Sequence, residues 1–436
     1  MQSIKVGILG LGTVGGGTAN VLQRNADEIL RRTGRAIEVT MASVRDIHRE
    51  RNCDCSQLVL TQDPYSIVND QSIDIVVELI GGEVDAKDLV LQAINNGKHV
   101  VTANKALIAL HGNEIFAAAQ EKGVSVLFES AVAGGISIIK SIREGLAANR
   151  IELVAGIING TGNFILTEMR DKGRSFDDVL AEAQELGYAE ADPTFDVEGI
   201  DAAHKLTILA SIAFGIPLQF EKVYTEGISA LSLDDVAYAG ELGYRIKHLG
   251  IARADDSGIE LRVHPTLIPE KRLIANVDGV MNAVMVRGDA VGNTLHYGAG
   301  AGAEPTASAV IADIVDVART ITAEPCNRVP HLAFQPSQIK QRKIKAPDEF
   351  ETAYYLRVEV NDVAGVMSKL STVFADLDIS LEAITQKEPQ KDQQFVSVIL
   401  ITQRTVEGRI IQAIKKIEAM TDVRADVVRI RVEHLD

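Results

Sequence analysis

Short apolar runs alternate with stretches of 3.6-residue periodicity over the first 130 residues. Runs at 4–9, 37–44, 73–79, 100–102 and 124–128 read as buried strands. The segments 14–31, 87–96 and 112–122 between them read as helices. Strand and helix alternating at this spacing predict a parallel sheet with crossover helices. The rhythm changes after Glu129. Strand patterns at 151–158 and 273–287 frame helical patterns at 164–172, 176–186 and 200–214, which predicts a second, α+β domain. A glycine-rich stretch at 298–305 leads into a strong helix at 306–321, placed to pack back on the first domain. Residues 325–349 carry Pro, Gln and Lys with little periodicity and read as a linker. From 353 to 433 the order is strand, helix, strand, strand, helix, strand, a small ferredoxin-like unit.

Composition narrows the class. With 436 residues the chain is too long for one ordinary core, and 46% apolar with 24% charged residues is a soluble globular balance. Trp is absent, so Ile, Val, Leu and Ala must build the cores. A net charge of −16 argues against nucleic acid or an anionic membrane as partner. No segment offers the ~20 uninterrupted apolar residues of a membrane helix. The start, MQSIKVGILG, enters a strand at once without signal-peptide architecture, so a cytoplasmic location is expected. Cys53, Cys55 and Cys326 have neither zinc nor disulfide spacing and read as reduced bystanders.

Gly10-Leu11-Gly12-Thr13-Val14-Gly15 fits G-x-G-x-x-G directly after a strand and before a helix, the context of a dinucleotide site. Gly10 permits the tight turn, Gly12 admits the pyrophosphate, and Gly15 lets helix and strand pack closely. After the second strand stands Arg45, suited to a 2′-phosphate, which favours NADP; Asp46 beside it leaves NAD open. Residues 186–206 hold five carboxylates within a dozen positions and end in a buried helix with Asp201 and Lys205 four apart, on one face. A lysine at the wet end of a buried helix is a candidate proton donor, oriented by Asp201. A plain ion pair is the competing reading. His204 points off that face and reads as structural. The carboxylates suit a substrate carrying an ammonium group, with Glu190 the best placed. Lys105 follows the strand at 100–102, where open α/β sheets bind ligands.

Together these segments resemble the homoserine dehydrogenase family. The matching pieces are GLGTVG, TANK at Lys105, FESAVAGGI from Phe128, NGTGNFIL from Asn159, DAAHK ending at Lys205, and GAGAEPTASAV. They run in family order through residues 1–321. The resemblance implies reversible reduction of L-aspartate 4-semialdehyde to L-homoserine by NAD(P)H, in threonine, isoleucine and methionine biosynthesis. It implies Lys205 as proton donor, though Lys105 is not excluded by the residue pattern, and Lys105 as a cofactor- and substrate-contacting lysine. Gly187, Glu190, Asp196 and Asp201 are the expected substrate-binding residues, and Gly302 lines the nucleotide site. Glu129, Val132, Gly134 and Ile136 match a monovalent-cation site, expected to hold sodium largely through backbone carbonyls.

The tail resembles an ACT domain through VNDVAGV, which implies L-threonine as feedback inhibitor near Asn361, Asp362, Gly365 and Val366, with paired tails. The expected organisation is a Rossmann-type nucleotide-binding domain over 1–130 completed by helix 304–322, a catalytic and dimerisation domain over 131–303, a linker over 323–349, and the ACT domain over 350–436. A homo-oligomer, dimer or tetramer, of the monofunctional type follows. Two rival functions are another aspartate-pathway reductase and a non-catalytic NADP-binding amino-acid sensor. A semialdehyde dehydrogenase needs a cysteine nucleophile beyond the nucleotide domain, and only Cys326 lies there.

Overall fold

The computed structural model describes residues 3–387 and 395–435. Residues 1–2, 388–394 and 436, which fall in the first and last expected domains, lie outside the described residues. The first domain runs β1 (Ile4–Leu9), α1 (Thr13–Arg24), α2 (Ala26–Thr33), β2 (Ile37–Ser43), β3 (Val59–Thr61), α3 (Pro64–Asn69) and β4 (Ile75–Glu78). It continues through α4 (Val84–Asn95), β5 (His99–Thr102), α5 (Lys105–Lys122) and β6 (Val126–Leu127). All six strands are parallel, ordered β3-β2-β1-β4-β5-β6. That is the doubly wound order, with its topological switch between β1 and β4. The helix expected at 14–31 breaks at Asn25 into α1 and α2. β3 and α3 were not foreseen, because three and six residues are too few to show a period.

The second part runs α6 (Ile138–Lys140), β7 (Ile151–Ile157), α7 (Gly160–Lys172), α8 (Phe176–Glu185), α9 (Thr194–Val197), α10 (Ile200–Phe214), β8 (Tyr224–Thr225) and α11 (Leu233–Glu241). It ends with β9 (Tyr244–Asp255), β10 (Gly258–Pro269), β11 (Met281–Gly288), β12 (Gly292–Ala299) and α12 (Ala303–Thr320). Of the strand expected at 273–287 only the second half is strand; Leu273–Asn276 is a 3₁₀ turn. α12 returns to the first domain and lies on α1. A Cβ on Gly17 would sit 2.6 Å from the Ala303 carbonyl oxygen, so only glycine permits this approach. One apolar cluster joins α5 to α10, with Leu107 and Ile108 on one side and Leu206 and Leu209 on the other.

The tail runs β13 (Glu351–Asn361), α13 (Val366–Asp376), β14 (Leu381–Gln386), β15 (Phe395–Thr402), β16 (Thr405–Val406), α14 (Glu407–Glu418) and β17 (Val428–Val432). β17 pairs in parallel with β10 at Thr266 and Leu267, so tail and second domain share one sheet. Residues 325–349 are strapped to the molecule rather than free. The Ile259 amide donates to the Lys343 carbonyl at 2.9 Å, the Lys340 amide to Gly215 at 2.9 Å, and Phe334 packs over Gly215. Main-chain bonds and single side chains make these contacts, so no periodicity betrays them. Among the described residues no helix is long and apolar enough to cross a membrane.

All twelve residues of β10 are buried, although Glu260, Arg262, His264 and Thr266 alternate with apolar neighbours. Glu433, three residues from the chain end, reaches Arg262 at 2.5 Å and Arg253 at 2.7 Å. Both arginines hold the Glu433 carboxyl down to about 2 against a burial that would raise it. Glu433→Ala should therefore cost ~3 kcal/mol by leaving buried cations short of a partner. An unchanged denaturant midpoint would show that the tail does not depend on this seam.

Candidate functional site

The turn after β1 opens a cleft of about 1110 Å³ floored by Gly10, Leu11, Gly12 and Thr13. Gly10 has φ +95, and a Cβ on Gly15 would sit 2.0 Å from the Gly10 carbonyl oxygen, so both positions require glycine. A Cβ on Gly12 would meet nothing within 4 Å: its absence leaves open space at the start of α1, where a pyrophosphate fits. Val14 packs into the core and Gly15 lies beneath Gly10, so these two sit behind the cleft wall rather than in its lining. Gly302 (φ +124) precedes α12, whose first residues Ala303 and Glu304 close one side.

At the β2 end the cleft carries Arg45 and also Arg49 and Arg51, which the sequence reading passed over. The signal was present in the run RDIHRER, three arginines at alternating and near spacing after the second strand. The Asp46 carboxylate there accepts the His48 amide at 2.8 Å, and its carbonyl accepts the Arg51 guanidinium.

At the opposite end Ile80 and Gly81 line the cleft. Buried Glu78 fixes them, accepting their amides at 3.0 and 3.1 Å on one oxygen and the Thr102 hydroxyl at 2.5 Å on the other. Burial raises the Glu78 pKa, opposed by those hydrogen bonds. Asn104 caps α5 by accepting the Leu107 amide at 3.0 Å and ties back to the Gly82 carbonyl at 2.6 Å. This network fixes the start of α5 at Lys105, which lies outside the cleft lining, toward Asp201.

Lys105 Nζ lies 2.9 Å from Asp201 Oδ1, and Lys205 Nζ lies 2.7 Å from Asp201 Oδ2. A single buried carboxylate thus joins the two lysines singled out from sequence. Lys205 also donates to the Ile158 carbonyl at 2.7 Å. Asn159, absent from the expected site, donates to Asp201 Oδ2 at 2.9 Å and to Asp196 Oδ1 at 2.7 Å. Burial pushes Asp201 up, but Lys205, Lys105 and these hydrogen bonds hold it well below the usual carboxylate range. Burial lowers Lys205, aided by the charge of Lys105 and opposed by Asp201. Burial would also lower Lys105, yet Asp201, Asp196 and Glu190 together raise it. Burial raises Asp196, with Asp201 adding to the effect.

The rest of the acidic run separates. Glu190 is exposed, acting on Lys105 through its charge, and Gly187 (φ +73) forms an exposed turn after α8. His204 is buried between Phe195 and Phe220, and burial lowers it to about 4, as a structural residue requires. Phe195 also lies 5.6 Å from Lys105 Nζ.

The loop from Glu129 to Ile136 turns at Ala133 (φ +54) and Gly134 (φ +43). A Cβ on Gly134 would be 2.5 Å from the Gly300 carbonyl oxygen. The Glu129 carboxylate accepts the Ile139 and Lys140 amides at 2.9 and 2.7 Å, so its side chain is already engaged. In the tail, Gly365 (φ +93) leads into α13 at Val366, and the Asn361 side-chain oxygen accepts Arg424 at 2.6 Å. Asp362 lies exposed in the turn between them.

A doubly wound sheet with a glycine cleft, a lysine pair joined by a buried carboxylate and an appended ferredoxin-like fold define an NAD(P)-dependent oxidoreductase with an ACT domain. Comparison with known families agrees. The profile "Homoserine dehydrogenase, NAD binding domain" matches residues 10–129, "Homoserine dehydrogenase" matches 137–315, and "ACT domain" matches 354–419. The homoserine dehydrogenase of Pseudomonas aeruginosa is 64% identical over 100% of both chains. The crystal structure of a homoserine dehydrogenase from Thiobacillus denitrificans is 62% identical with a TM-score of 0.95, again over 100% of both chains. A hyperthermophilic archaeal homoserine dehydrogenase solved in complex with NADPH is 25% identical with a TM-score of 0.60, over 74% of this chain and 98% of that one. The chain belongs to the homoserine dehydrogenase family, and it is an oxidoreductase of amino-acid biosynthesis.

Proposed function

We propose that this homoserine dehydrogenase works with NADP in preference to NAD, with Lys205 as the proton donor to the aldehyde oxygen. The observation that carries this is Asp201 set between Lys105 and Lys205. The carboxylate fixes two ammonium groups side by side, and their N–H donors suit an oxygen that gains negative charge in the transition state. Bound NADPH supplies the two electrons and the hydrogen taken up by the aldehyde carbon.

Lys205 has two N–H bonds on Ile158 and Asp201, and its third is free to meet the substrate oxygen. Its lowered pKa suits proton transfer, whereas the raised pKa of Lys105 suits a fixed positive charge. Glu190 and Asp196, beside the Gly187 turn, would receive the substrate ammonium. At the other end of the cleft, Arg45, Arg49 and Arg51 would meet the 2′-phosphate, and the NADPH-bound archaeal relative agrees with this choice.

The loop carbonyls of Glu129, Val132, Gly134 and Ile136 would hold a monovalent cation, sodium being the expected one. The engaged Glu129 side chain agrees with a site built from carbonyls. The ion's charge would fix the loop against Gly300. The turn at Asn361, Asp362, Gly365 and Val366 would take L-threonine as a feedback effector, with the tails of two subunits paired.

In homoserine oxidation Lys205 must first lose its proton. The rate should therefore rise with pH through a midpoint below that of an ordinary lysine, and aldehyde reduction should fall through the same midpoint. Lys205→Ala should remove this dependence and cut turnover ~10²-fold or more while nucleotide affinity persists. Near-normal turnover, followed by NADPH absorbance, would move the proton to Lys105.

Arg45→Asp should shift preference toward NAD. Replacing Arg49 or Arg51 with Ala should weaken NADP binding about tenfold each while leaving NAD affinity alone. An unchanged NADP/NAD ratio in all three variants would remove the case for the 2′-phosphate.

A further inference from the structure

Asn159 stands immediately before α7 and uses both ends of its side-chain amide. Its oxygen accepts the Gly162 amide at 2.8 Å, the helix cap. Because the Gly162 nitrogen is a donor, that atom is the oxygen, and the amide cannot be flipped. Its nitrogen has two N–H bonds, and Asp196 Oδ1 and Asp201 Oδ2 lie at 2.7 and 2.9 Å.

We propose that Asn159 is a positioning residue: one amide nitrogen holds Asp196 and Asp201 together and thereby sets the lysines and the ammonium-binding carboxylate of Asp196 in a single geometry. This rests on the reading of Asp201 and Lys205 as the reaction site.

Two carboxylates this close repel, and each would otherwise turn to the nearest cation or share a proton with the other. A shared neutral donor relieves the repulsion without consuming a lysine. It also fixes the carboxyl plane of Asp201, so that Oδ2 faces Lys205 and Oδ1 faces Lys105. Asp196 keeps its second oxygen for the substrate ammonium. Burial of Asn159 keeps water from replacing the amide.

The capping and bridging roles can be separated, because Ser and Asp cap a helix about as well as Asn but neither has an N–H₂ group. In the full-length enzyme Asn159→Ser should melt near the wild-type temperature while homoserine KM rises ~10-fold and kcat falls. In aldehyde reduction, where Lys205 sets only the alkaline limb, the acid limb of its kcat/KM profile should move to higher pH, since Asp196 loses a donor that favours its charged form. Asn159→Asp, which adds a third carboxylate, should be worse than Ser on both parameters at unchanged nucleotide affinity.

Wild-type kcat, KM and pH profile in both variants would overturn the proposal and leave Asn159 a helix cap. Failure of both cap-retaining variants to fold would overturn it too, because the amide would then serve the fold. Lys205→Ala run in parallel separates the two readings: an inactive Lys205→Ala beside a normal Asn159→Ser rejects the bridge alone, whereas an active Lys205→Ala rejects the site.

Discussion

A carboxylate as deeply buried as Asp201 stays charged only where opposite charges reach it, since desolvation alone favours the neutral acid. Lys105 and Lys205 reach it from different domains, one from the end of a parallel strand and one from a buried helix. Neither domain closes the ion cluster alone. The apolar cluster between α5 and α10 is thus a condition of the ion cluster as well as of the fold, because it holds the two lysines at their distances. On the nucleotide side, Glu78 and Asn104 do the same for the cleft wall and the start of α5, so the glycine cleft and the Asp201 cluster are tied through a few hydrogen bonds.

The tail is built into the enzyme through a second buried ion cluster. Arg431 meets Glu226 at 2.8 Å and Arg429 meets it at 3.3 Å. The Glu226 carbonyl lies 3.0 Å from His248, whose ring would meet a Cβ on Gly199 at 3.1 Å, and Gly199 caps the helix that bears Asp201. The turn at Asn361 sits at the far end of β13, five to seven residues or roughly 17–23 Å from where Leu356 and Tyr354 pair with Arg429 and Arg431.

Much of this was legible in the chain itself. The nucleotide domain announced itself by alternating short apolar runs, and the fingerprint by glycines whose spacing only a tight turn explains. Asp201 and Lys205 were legible because four residues on a helix make one face. That Lys105 meets the same carboxylate was not, since 96 positions separate it from Asp201 and only the packing of α5 on α10 brings them together. Asn159 was hidden for a similar reason: a lone Asn before a helix reads as a cap, and its second role faces residues 37 and 42 positions away. The burial of the polar face of β10 was not legible, because alternating polar residues suggest a solvated face, whereas here that face is covered and answered by Glu433.

The most direct measurement is a crystal structure of the enzyme with NADP and homoserine bound together. Asp201 should still contact both lysines, and Lys205 Nζ should lie within ~3 Å of the homoserine hydroxyl, with the reacting carbon against the nicotinamide. A ternary complex in which the hydroxyl lies far from both amines, or in which Asp201 has released one of them, would contradict the account.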